Sequence, residues 1–120
     1  MNDLYTMLNE LCGTVPESEF RFFGTVQPLA PEKASGWRDV VGRLLAYARG
    51  DNASAPHLCV QLGQAPDFFS VSVYADNNCF GSYLDEYPAD ILIRLAKLGI
   101  VSSDVDIHAS DGGSGIMISI

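Results

Sequence analysis

The chain has 120 residues with 15 acidic and 7 basic side chains, a net charge of −8, and is 48% hydrophobic and 18% charged. This is the composition of one globular domain, not of a disordered tail, and no apolar run approaches the ~20 residues needed to span a bilayer. The acidity argues against nucleic-acid and membrane binding, and the odd count of three cysteines argues against a disulfide framework.

Leu4, Met7, Leu8 and Leu11 recur at helical spacing, so the chain opens with a short amphipathic helix capped by Asn2 or Asp3 and stopped at Gly13. With no basic leader and no continuous apolar run, Met1 to Gly13 does not read as a signal peptide, and a reducing cytoplasm is the expected location. Phe20 to Val26 reads as a strand, with Phe20 and Phe22 on one face and Arg21 and Phe23 on the other. Gln27 to Ala34 contains two prolines and reads as a loop. Ser35 then caps a helix whose apolar stripe is Trp37, Val40, Val41, Leu44, Leu45 and Ala48, with Gly50 as its stop.

His57 to Leu62 and Phe68 to Ala75 form a hairpin closed by a turn from Gly63 to Asp67. In its second strand Phe69, Val71, Val73 and Ala75 face one way, and Phe68, Ser70, Ser72 and Tyr74 the other. Asp76 to Tyr87 is a long polar and aromatic loop. Pro88 opens a third helix, apolar at Ile91, Leu92, Leu95 and Leu98 and stopped by Gly99. Asp104 to His108 alternates as a strand, and a glycine-rich turn from Asp111 to Gly115 leads into a closing strand from Ile116 to Ile120.

Without the first helix and last strand, the order is strand, helix, strand, strand, helix, strand. This predicts an α+β fold with a ferredoxin-like βαββαβ core, an extra N-terminal helix and a C-terminal strand, in one domain over residues 1–120. The sheet is expected to be mostly antiparallel, with helices on one face and the other face open.

No catalytic set emerges, so no enzyme activity and no cofactor are expected. Asp104, Asp106 and His108 share one face of a strand, about 7 Å apart per step, a weak pattern for a metal and a common one for a solvated face. Cys59 has no basic neighbour in sequence to activate it beside His57, the third group of a nucleophilic triad is missing, and both residues read as structural. The Asp111–Gly115 turn lacks a lysine and precedes no helix, so it is a hairpin turn and not a phosphate loop.

The charge is lopsided. Residues 50–120 hold nine acids and only two bases, Arg94 and Lys97, and so carry −7 of the net −8. Tyrosines lie among these acids. The expected partner-binding surface is Tyr74, Asp76, Tyr83, Asp85, Glu86 and Asp90, with Asp104 and Asp106 adding to the field.

A small acidic domain without a catalytic set resembles the immunity proteins of bacterial toxin systems, including contact-dependent inhibition. The stretch from Phe69 through Leu95–Gly99 to Asp104–His108 also looks like small bacterial α+β domains. That resemblance implies a protein-binding inhibitor whose partner is a cognate basic toxin, in some systems a nuclease. The alternative expectation is a ligand-binding or regulatory domain acting as a homodimer through the open sheet face, with Phe23, Phe68 and Tyr74 exposed.

Overall fold

In the computed structural model, residues 3–15, 17–49, 57–76, 80, 89–110 and 113–119 are described. Asp3 starts the first helix, α1 (Leu4–Thr14), by accepting the Thr6 N–H at 2.7 Å. That bond holds the Asp3 carboxyl below its ordinary pKa. Leu4, Leu8 and Cys12 form the buried stripe of α1. Strand β1 (Ser18–Gly24) follows, and Tyr5 of α1 meets Phe20 and Phe22 edge-on at 5.5 and 5.0 Å between ring centres.

Helix α2 (Pro31–Arg49) begins earlier than the Ser35 cap suggests. Pro31 occupies the first helical position, where its missing N–H costs nothing, and the Ala30 carbonyl accepts the Lys33 and Ala34 amides. Ser35 therefore lies inside the helix. The expected stripe from Trp37 to Ala48 is buried throughout, with Ala34 added at its start.

Strands β2 (Leu58–Ala65) and β3 (Phe68–Ala75) form a hairpin with only Pro66 and Asp67 between them, so β2 runs three residues further than the periodicity indicated. Helix α3 (Ala89–Lys97) ends in a Schellman motif. The Ile100 amide bonds the Leu95 carbonyl and the Gly99 amide bonds Ala96, both at 3.0 Å, while Gly99 takes φ +80°. A 3₁₀ turn at Ser102–Asp104 leads to β4 (Val105–Ser110) and then β5 (Gly113–Ser119).

The fold is α+β, with a five-stranded, mostly antiparallel sheet ordered β1-β2-β3-β5-β4. The strand order differs from that of a ferredoxin-like core. There the parallel strands of the first βαβ unit are split by another strand; here β1 and β2 are direct hydrogen-bonded neighbours, from Ser18–Leu58 to Gly24–Gln64. The final strand, β5, inserts between β3 and β4.

All three helices contribute to one core with Leu58, Val60, Leu62, Val71, Val73, Ile116 and Ile118 of the sheet. An Arg94–Asp39 ion pair ties α3 to α2. The opposite face of the sheet carries Phe23, Phe68 and Tyr74, all more than a third exposed, around buried Ser70 and Ser72. Among the described residues no helix is long and apolar enough to cross a membrane.

Candidate functional site

The acidic residues expected to form one surface serve different local ends. Asp76, just past β3, accepts the His57 N–H at 2.9 Å and donates its own amide to the His57 carbonyl at 3.1 Å, closing the end of the β2–β3 ladder. Asp104 accepts the Val101 N–H at 3.0 Å and so caps the 3₁₀ turn before β4. Asp106 is exposed on β4, opposite Met117. Tyr74 lies two strands away on β3, on the same open face. Tyr83, Asp85 and Glu86 lie outside the described residues; Asp90 falls in α3, but its side chain is not described.

Because Asp104 belongs to a turn and not to the strand, Asp104, Asp106 and His108 do not share a face. Among the described residues no cluster of His, Cys, Asp and Glu could hold a metal ion. Neither described cysteine, Cys12 or Cys59, is activated. Burial pushes the Cys12 thiol up to about 11, and burial together with the Glu19 carboxylate raises Cys59. His57 is exposed and lies 4.0 Å from Glu17. The glycine-rich turn is a hairpin connection, with Ser110 of β4 paired to Gly113 of β5.

At the β3 end of the sheet, Phe80 is fully buried. Its ring stacks on Tyr47 of α2, and its N–H donates to the Ser114 hydroxyl of β5 at 3.0 Å. This anchor fastens the chain leaving β3 between a helix and a strand.

A cavity of about 410 Å³ opens at the other end. It lies where the parallel strands β1 and β2 finish and α2 begins, the position at which open α/β units commonly take ligands. Trp37 and Phe69 wall it, their ring centres 5.0 Å apart. Lys33 and Asp67 are its charged lining residues. Gln64, 1% exposed, also lines it; its side-chain oxygen accepts the Gln27 N–H at 3.3 Å. Sequence reading missed this site because Gln64 was assigned to a turn and Lys33 to a loop. The available signal was the parallel pairing of β1 with β2 across a helical crossover, which alternation along one strand does not reveal.

The sequence matches no family model and no curated protein. Its fold is similar to that of solved histidine kinase structures. The histidine kinase domain of the E. coli osmosensor EnvZ aligns with TM-score 0.68 and 14% identity, over 98% of this chain and 85% of that one. The Erythrobacter litoralis EL346 blue-light activated histidine kinase aligns at 0.64 and 14%, covering 98% of this chain; the chain spans only 41% of its length. The mycobacterial sensor histidine kinase MprB aligns at 0.56 and 15%, over 98% and 90%.

These neighbours overturn the expectation of a toxin inhibitor, its basic toxin partner and the absence of enzyme activity, for the solved structures that share the fold are histidine kinases. The physical reason for the miscue is that a charge excess read along the chain does not name a partner: Asp76 and Asp104 also accept backbone amides, and Asp106 is exposed on β4. What the comparisons establish is that this chain has the fold of a histidine kinase domain.

Proposed function

We propose that the chain is a nucleotide-responsive regulatory domain of the histidine kinase type, working in phosphotransfer signalling in the cytoplasm. The observation that carries this reading is the fold match over 98% of the chain to the EnvZ kinase domain. It keeps the regulatory α+β domain of the alternative expectation and discards the toxin.

A kinase implies a nucleoside triphosphate and a divalent cation. The cavity beside α2 does not fit that ligand. Among the described residues Lys33 is the only cation lining it and Asp67 offsets it, so several phosphate charges would enter without compensation. Among the described residues no carboxylate cluster is placed to hold the cation. Nucleotide recognition therefore belongs elsewhere on the fold, and no phosphoryl-transfer step is routed through this cavity.

The test is a titration of the chain with ATP and ADP in the presence of Mg²⁺, followed by calorimetry, with hydrolysis of ATP measured in parallel. Saturable binding supports the reading. No heat of binding at millimolar nucleotide, together with no hydrolysis, overturns it.

A further inference from the structure

We infer that the cavity at the carboxyl ends of β1 and β2 is a binding site for a small, flat aromatic monocarboxylate. Its volume, about 410 Å³, lies within the range of small-molecule pockets, and its lining is polar and apolar in equal measure. Leu29 and Leu98 complete the wall formed by Trp37 and Phe69.

The polar groups specify the guest. Lys33 and Trp37 are four residues apart on α2, so their side chains rise from the same face of the helix, one turn apart. Lys33 forms no ion pair among the described residues. Trp37 is only 3% exposed and walls the cavity; its indole N–H makes no hydrogen bond to the described residues and is open to water, since Arg94 Nε is the one enclosed side-chain nitrogen or oxygen left unpartnered among them. A donor at a cavity wall that is served only by water can exchange that water for an acceptor on a guest. One carboxylate group meets both needs, taking the ammonium charge and the indole hydrogen.

Gln64 adds a third contact. Its amide uses the Gln27 backbone on both sides, with its oxygen accepting at 3.3 Å and its nitrogen donating at 3.5 Å, which leaves one amide hydrogen for a polar substituent on the guest. Asp67 sets the limit on charge. Its carboxylate among the lining residues disfavours dianions and polyphosphates, so this guest is chemically distinct from a nucleotide.

Trp37 is the only tryptophan of the chain, so its fluorescence reports on this cavity alone. The experiment titrates 3-nitrobenzoate and the neutral 3-nitrobenzamide, both quenchers of indole emission, into the full chain. Saturable quenching by 3-nitrobenzoate is expected, with a dissociation constant at or below about 1 mM. The amide should bind about two- to five-fold more weakly, the usual worth of one accessible ion pair. Lys33→Gln should bring the acid down to the level of the amide and leave the amide unchanged. Leu29→Phe, which fills the cavity from its wall, should abolish saturation by both while circular dichroism shows the fold intact. Millimolar Mg-ATP should not compete.

Quenching that rises linearly and is unaffected by Leu29→Phe would overturn the site. Displacement of the probe by Mg-ATP would overturn the assignment of the guest and return the cavity to the nucleotide. Failure of the chain to bind ATP in calorimetry leaves this test untouched, so the two readings fail separately.

Discussion

The Phe80 ring lies nearly parallel to that of Tyr47, with centroids 6.0 Å apart and 24° between planes, and it is wholly removed from solvent. This contact joins the chain beyond β3 to α2, and the bond from the Phe80 amide to Ser114 joins it to β5. A single aromatic residue thus couples a helix, a strand and the connection towards α3.

Truncating that anchor should be expensive. Phe80→Ala removes a fully buried ring and is expected to cost about 3–5 kcal/mol, while Ser114→Ala, which removes the hydroxyl that accepts the Phe80 N–H, should cost about 1–3 kcal/mol. Urea unfolding checks both. A loss below about 1 kcal/mol for Phe80→Ala, less than the smallest cost usual for a buried ring, would show that Phe80 does not anchor the chain.

Gly24 ends β1 with φ +100°, and a Cβ built there would lie 1.9 Å from the Gln64 carbonyl oxygen. That oxygen accepts the Thr25 amide at 2.8 Å, so it cannot easily withdraw. Gly24→Ala should therefore destabilise the chain by at least about 1–3 kcal/mol through the left-handed backbone alone, with the clash adding to it. Thermal unfolding of the variant is the measurement, and an unchanged midpoint would contradict it.

The thiols make stability depend on pH at the alkaline end. Cys12 keeps its proton to about 11 when folded, against 9.0 ordinarily, and Cys59 is raised as well. Between these limits the unfolded chain gives up protons that the folded chain retains, which favours unfolding. The contribution is whole below pH 9 and declines as pH rises towards about 11. Urea midpoints at pH 8 and pH 10 should fall more for the natural chain than for a Cys12→Ala, Cys59→Ala variant. Equal falls would refute the assignment.

Arg94 and Asp39 pair across α3 and α2 with both side chains partly exposed, and among the described residues the Arg94 Nε has no partner. Solvent screening keeps such a pair modest. A double-mutant cycle of Asp39→Asn and Arg94→Met should return a coupling of about 0.2–1 kcal/mol that shrinks in high salt. A coupling of zero at low salt would mean that the pair does not hold the helices together.

Much of the fold was legible because it rests on local periodicity. The stripe from Trp37 to Ala48 predicted a helix, the alternation from Phe68 to Ala75 predicted a strand with the observed inward and outward faces, and Gly99 marked a helix end. Each depends only on neighbours within a turn or a pleat. Burial of one face then required helices packed against a sheet.

The site was not legible, because it depends on which strands become neighbours. Local pattern cannot distinguish a split from an unsplit βαβ unit, and only the adjacency of β1 and β2 brings Gln64 to the start of α2, where Lys33 and Trp37 stand. Composition likewise determined that the chain is acidic, but the tertiary structure decided what the acids do: Asp76 and Asp104 take up backbone amides, and Asp106 faces solvent. Periodicity is a property of the chain with itself at short range; register and hydrogen-bond partnership join residues distant in sequence, and only folding selects them.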